Sequence, residues 1–175
     1  MKRLILTLAL MLGFAVAAQA QSYAVVNSEK IFKSIESYNA AITELDKLAG
    51  EYQEQVDEMF EQVEKFYNTY MERRNQLNAA SQQANEEKIL EMEKQATEFQ
   101  ESIFGTDGEL MKKRLELIQP IQKMVFDAIE NYAKQKGYDM IIDVSQNATM
   151  LYYSAKADQT EAIIALLKKQ TTNAN

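Results

Sequence analysis

The sequence predicts a mainly α-helical protein with a small β body: a long antiparallel coiled-coil hairpin inserted into a strand-based oligomerisation domain. Apolar residues recur at alternating spacings of three and four from Ile35 to Leu77, and only Arg73 breaks this heptad repeat. A second such repeat runs from Ile89 to Ile103. With 5 glycines and 1 proline among 175 residues, the chain has few turn signals, which favours long helices.

The first 20 residues are expected to be a signal peptide that is cleaved after Ala20. Lys2 and Arg3 precede an apolar stretch, residues 4–16, and Ala18-Gln19-Ala20 has the small-x-small pattern of a cleavage site. A retained membrane anchor is the alternative, but the apolar stretch is short for a spanning helix. We therefore expect an exported chain with no stable membrane insertion.

The β-rich body is predicted from two separate stretches, residues 21–35 and 137–175. Both contain short segments rich in β-branched and aromatic residues. The three strand candidates are Tyr23–Asn27, Tyr138–Val144 and Thr149–Tyr153. A short helix is expected after Asn27 or Ser28, and a final helix is expected to open at Asp158 in a pattern like a capping box.

The hairpin is predicted to occupy residues 36–136. When the two repeats are paired so that facing residue numbers add to 166, the tip falls near residues 80–85. Asn85, followed by two glutamates, is then expected to cap the returning helix. At 1.5 Å per residue, each arm is about 60 Å long.

The returning arm is expected to be the flexible one. Gly105 and Gly108 accompany a change of heptad phase, and Pro120 lacks a backbone donor. We therefore predict a bend between residues 104 and 120. The arm is expected to end at Gly137 in a left-handed cap.

The body is too small to be stable alone. It has 54 residues, and its short strands would leave open edges. Self-association through the strands would remedy both defects, so a homo-oligomer is predicted. The candidate oligomerisation residues are Tyr23, Val25, Ile141, Val144, Leu151 and Tyr153.

Aromatic residues widen the apolar stripe of the first arm on one side. Phe60 and Tyr67 each follow a stripe residue directly. They are interpreted either as packing against the returning arm or as the apolar wall of a cavity. Methionines in the arms suit adaptable binding or core filling equally well. The candidate client-binding residues are Met59, Phe60, Tyr67, Met71, Phe99 and Phe104.

The composition argues against enzymatic activity. The sequence has no histidine and no cysteine, and therefore lacks the commonest catalytic bases, nucleophiles and transition-metal ligands. It has no phosphate-binding glycine loop either, so no cofactor is expected. The net charge of −7 becomes −9 once Lys2 and Arg3 are removed, which disfavours nucleic acid as a partner. The basic clusters Arg73–Arg74 and Lys112–Arg114 lie among glutamates and are interpreted as solvated surface.

Two terminal stretches carry a family resemblance. One is Tyr23-Ala-Val-Val-Asn-Ser-Glu-Lys-Ile-Phe-Lys33; the other runs from Gly137-Tyr-Asp-Met-Ile-Ile-Asp143 through Tyr152-Tyr153 to Asp158-Gln-Thr160. They resemble the Skp/OmpH family of periplasmic chaperones. The resemblance implies a jellyfish-shaped homotrimer whose tentacles enclose a cavity, and which holds unfolded outer-membrane β-barrel proteins without nucleotide.

Two features depart from that family. Gln159 replaces the family's usual isoleucine, which keeps the helix cap but loses an apolar contact. The chain is also acidic where the family is often cationic, and this charge argues against docking to lipopolysaccharide or to a membrane. The predicted function is an ATP-independent periplasmic holdase. The alternative is an exported coiled-coil spacer or scaffold that tethers cell-envelope partners. A spacer would bury its apolar residues in the zipper, whereas a chaperone would leave apolar surface exposed.

Overall fold

The structure is a computed structural model that describes residues 22–146 and 149–173; the predicted signal peptide lies outside this part. Long helices dominate and are accompanied by a small β body, as the sequence predicts; the sheet in that body has two parallel strands. The elements are β1 (Tyr23–Val26), α1 (Ser28–Lys33), α2 (Glu36–Arg73), a 3-10 turn (Arg74–Gln76), α3 (Ala79–Phe104), α4 (Glu109–Lys136), β2 (Met140–Asp143) and α5 (Thr160–Asn173).

The chain divides into two compact units. One is Phe32–Val125, called here the arm unit. The other consists of the described residues before and after that stretch, and is called the body unit. The last turns of α4 therefore belong to the body unit, although the helix itself runs to Lys136.

A heptad zipper holds α2 and α3 together. The stripe residues of α2 are buried or half-buried, and Arg73 is again the exception. Val63, Tyr70 and Ile89 form a buried cluster against which Phe66, Leu77 and Met92 pack. The predicted helical hairpin is confirmed, because both apolar repeats face each other along its seam.

The predicted tip near residues 80–85 is wrong, because the chain reverses at residues 74–78. Asn78, not Asn85, caps α3 and accepts a hydrogen bond from the Ser81 amide at 2.9 Å. Gln82 Nε2 then donates to the carbonyl oxygens of Arg74 and Leu77, at 3.0 and 3.1 Å. The stretch that loses the heptad is thus the first two turns of α3, since its Ala, Ser and Gln residues tolerate a helix.

The earlier turn also changes the register of the zipper. Tyr70 Oη donates to Glu86 Oε1 at 2.6 Å, and Lys113 lies 3.6 Å from Glu44. The numbers in these pairs add to 156 and 157, where the prediction required 166.

The returning arm is broken rather than bent. α3 ends at Phe104 and α4 starts at Glu109. A Cβ atom on Gly105 would collide with the carbonyl oxygen of Glu101, and one on Gly108 would collide with that of Ile103. These two glycines are required by close backbone approach. Pro120, in contrast, lies inside α4, which runs as one helix from Glu109 to Lys136.

In the body unit, β1 has neighbours on both sides. It pairs in parallel with β2, with Tyr23 opposite Met140 and Val26 opposite Asp143. On its other side, the Val25 amide donates to the carbonyl of Ala157, and the Gln159 amide donates to that of Val25, both at 2.9 Å. The predicted end of α4 is confirmed: Gly137 has a φ of 71°, and the Tyr138 amide donates to the Ala133 carbonyl.

The third predicted strand is wrong for this chain taken alone. Residues 149–153 form no strand, and Leu151 is 95% exposed. The physical reason is that both edges of β1 are already occupied. Within the described sheet, the only edge left for a further strand is the outer edge of β2.

Candidate functional site

The main candidate binding surface is a row of exposed apolar side chains on α2, called here the apolar ridge. It consists of Phe60, Tyr67 and Met71, which are 38%, 46% and 46% exposed. Their spacing of seven and four places them on one face of the helix. Val56 and Val63, each one turn from Phe60, are buried in the seam. The ridge therefore flanks the zipper without belonging to it.

The opposite flank of the same seam differs in chemistry. Its exposed positions, each directly before a buried stripe residue, are Gln55, Gln62 and Thr69. Exposed aromatic and methionine side chains therefore lie on one flank of the stripe, whereas the positions directly before the buried stripe residues are polar. A row of exposed apolar side chains along one flank is typical of an interaction surface.

Two of the predicted client-binding residues lie in the zipper. Met59 and Phe99 are half-buried heptad positions of α2 and α3. Because their side chains are engaged between the helices, they offer less surface to a partner than the apolar ridge does.

Phe104 belongs to a separate crevice beside the break in the returning arm. The crevice has a volume of about 260 Å³ and lies between α2 and the junction of α3 with α4. Its lining is mostly apolar and comprises Ile42, Leu45, Asp46, Ala49, Ile103, Phe104, Gly105, Leu110, Met111 and Arg114. The sequence singled out the two glycines beside it but gave no sign of the crevice, which exists only because α3 stops at Phe104.

A polar cluster fixes the tip. Arg74 Nε donates to Tyr70 Oη at 3.2 Å, and its guanidinium lies 3.7 Å from the Glu86 carboxylate. The hydrogen bond to Glu86 and the burial of the ring raise the pKa of the Tyr70 hydroxyl. Arg74 is thus part of the turn, although both Arg73 and Arg74 are exposed.

The predicted oligomerisation residues fall into three groups. Val25 is buried within its own chain, and Ile141 and Val144 are half-buried. Tyr23, Leu151 and Tyr153 are exposed. The Met140 and Val144 amides point to β1, so by strand alternation the amide of Ile141 points to the outer edge of β2.

Polar contacts hold the body unit together around these strands. The Asp143 carboxylate accepts hydrogen bonds from the Ser28 and Ser145 amides at 3.1 and 2.9 Å. Partial burial opposes ionisation, but the hydrogen bonds from Ser28 and Ser145 outweigh it and hold the pKa of Asp143 below its ordinary value. Tyr132 Oη donates to Gln159 Oε1 at 2.6 Å, so the unusual Gln159 links α4 to the segment that flanks β1.

A family profile described as "Outer membrane protein (OmpH-like)" matches residues 22–167. The chain belongs to this OmpH-like family. The family is one of chaperones of outer membrane proteins, periplasmic in general, and not of enzymes.

A crystal structure from Caulobacter crescentus CB15, described as that of a candidate outer membrane chaperone (OmpH-like), is similar in fold. The TM-score is 0.66, the sequence identity is 8%, and the similarity covers 88% of each chain. No curated protein matches the sequence significantly.

Two further properties of this OmpH-like chain are relevant to its function. In the part of the chain that the structure describes, no group of three or more acidic, histidine or cysteine residues is arranged to hold a metal ion. None of the helices described is long and apolar enough to cross a membrane.

Proposed function

We propose that the protein is an ATP-independent holdase that captures unfolded outer-membrane β-barrel proteins in the periplasm. In this proposal a signal peptide directs the chain into the periplasm and is then cleaved after Ala20. The observation that carries the proposal is the apolar ridge, Phe60, Tyr67 and Met71, which is exposed on a long helix whose core is already complete without it. An unfolded β-barrel protein presents many apolar side chains in no fixed order, and aromatic and methionine side chains adapt to such partners.

We further propose that the protein works as a homotrimer assembled through its body unit. The outer edge of β2 and the exposed segment at residues 149–153 support this. An unpaired strand edge and an exposed segment with two tyrosines favour pairing with another copy of the same chain. Three copies of the chain in one assembly would raise the local concentration of apolar ridges around a single client.

The test is to dilute a denatured outer-membrane β-barrel protein into buffer with the purified mature chain and to follow light scattering. Suppression of aggregation without ATP, and no change when ATP is added, is the expected result. If the β-barrel protein aggregates as fast with an excess of the mature chain as it does alone, the proposal is contradicted and the spacer or scaffold interpretation is favoured.

A further inference from the structure

The apolar ridge is interleaved with carboxylates. Asp57 and Glu64 alternate with Phe60, Tyr67 and Met71 at spacings of three and four residues. Residues so spaced share one face of a helix, here over about 21 Å at 1.5 Å per residue. Every aromatic side chain of the ridge therefore has a carboxylate one turn away.

These two carboxylates have no cationic partner in the described residues. Glu64 makes no ion pair there, and Asp57 accepts a hydrogen bond at 2.8 Å from the uncharged amide of Gln53. The nearest lysine in the sequence, Lys65, is paired with Glu61 at 2.6 Å. The negative charges beside the ridge are thus available to a partner.

The negative charge is also concentrated in this part of the molecule. Residues 51–64 contain six acidic residues and no lysine or arginine. The arm unit has 19 acidic and 11 basic residues, a net charge of −8, whereas the described body unit has 7 and 6, a net charge of −1. A surface that is both apolar and negative attracts a partner that is both apolar and positive.

We infer that the ridge selects cationic unfolded segments, in which lysine or arginine alternates with apolar side chains. This inference rests on the proposed holdase function and specifies its client class. Aromatic and methionine side chains would take up the apolar groups, while Asp57 and Glu64 pair with the cations. Cations placed over the faces of Phe60 and Tyr67 add to the attraction. A segment with the opposite charge would meet the same apolar surface but be repelled.

The test uses two unfolded peptides of equal length with the same tyrosines and leucines. One has four lysines, and its twin has four glutamates at the same positions. Binding to the mature protein is measured by fluorescence anisotropy. At about 10 mM salt, where the Debye length is about 30 Å, we expect the lysine peptide to bind at least tenfold more tightly. At about 150 mM salt, where that length is about 8 Å, the preference should shrink.

A pair of charge-matched variants shows whether the preference is local to the ridge. The double variant Asp57→Asn, Glu64→Gln neutralises both carboxylates and should lower the preference for the lysine peptide by about fivefold. The reason is that each exposed ion pair changes the affinity by about twofold to fivefold. The control, Glu54→Gln with Glu58→Gln, removes the same charge from exposed positions about 120–160° around the helix from Phe60, at 100° per residue. The control should keep the preference.

The outcomes separate this inference from the holdase proposal. Equal binding of the two peptides would overturn the inference, as would a control variant that loses as much preference as the ridge variant. Suppression of β-barrel aggregation is measured on the same samples. If suppression persists without any charge preference, only the inference fails; if neither peptide binds and aggregation proceeds, both fail.

Discussion

Replacing Phe60 and Tyr67 together by glutamine tests the apolar ridge directly. Each ring has about 200 Å² of surface, of which about two-fifths is exposed, so each offers a client about 80 Å². At about 25 cal/mol per Å², the two rings contribute about 4 kcal/mol of apolar contact. The free-energy cost of ordering the side chains and the unfolded client on binding offsets about half of this contribution. The remaining ~2 kcal/mol corresponds to about a thirtyfold loss of affinity in the double variant.

The assay is titration of an unfolded β-barrel client into the double variant, with helix content and oligomeric state measured on the same sample. Both are expected to match the unmodified protein, because the buried zipper is untouched. The matched control is Val63→Ala, which removes methyl groups from the buried cluster. This control should lower the melting temperature through about 1–3 kcal/mol of lost stability, and leave capture per folded molecule unchanged.

The reasoning would be refuted by the reverse pattern. If the glutamine variant melts several degrees lower yet binds the client with unaltered affinity per folded molecule, the two rings serve the zipper. The spacer or scaffold interpretation would then be the better one.

Three further predictions follow from the body unit and the broken arm. Light scattering on the mature protein should give three times the chain mass. Ile141→Lys should dissociate the assembly, because an unpaired charge at the strand edge is costly to bury. An Ile141→Lys variant that remains a trimer would contradict this. Gly108→Ala should destabilise the fold by more than about 1 kcal/mol, because the new Cβ atom clashes with the Ile103 carbonyl. The control is Gly50→Ala, where a Cβ atom meets no atom within 4 Å, and it should stabilise α2 by about 0.5–1 kcal/mol. Equal effects of the two variants on urea unfolding would refute the distinction. Because the pKa of Asp143 is depressed in the folded chain, its stabilising contribution is present above the ordinary pKa of an aspartate and is lost as the pH falls through the folded value. Asp143→Asn should therefore flatten the acid limb of the stability profile, and an unchanged limb would contradict the assignment.

The parts of the fold that repeat were predictable from the sequence, and the parts fixed by a single contact were not. Thirteen heptad positions specify the zipper redundantly, so one exception, Arg73, did not matter. The register depended instead on where the chain turns, which is decided by the side chains of Asn78 and Gln82. Both residues looked like part of one polar loop, and no periodic signal distinguishes a capping asparagine from one within a helix.

The candidate surface was predictable to a similar degree. Phe60 and Tyr67 were found because they follow stripe residues directly, and the structure places both on exposed surface. Met59 and Phe99 were chosen by residue type, although their heptad positions place them in the seam. The prediction of a third strand failed because β propensity gives no information about which segment pairs with a given edge. Here the segment at residues 157–159 occupies the edge of β1 that a third strand would have used.

The parallel pairing of β1 with β2 has a consequence for the order of folding. Tyr23 lies opposite Met140, so the two strands cannot meet until more than a hundred intervening residues have been made. The contacts between α2 and α3 are far more local and form sooner, since closing a short loop costs less entropy and brings its contacts early. Until β2 is available, β1 is an unpaired apolar strand. The nascent chaperone therefore passes through the same hazard of open strand edges that its proposed clients face.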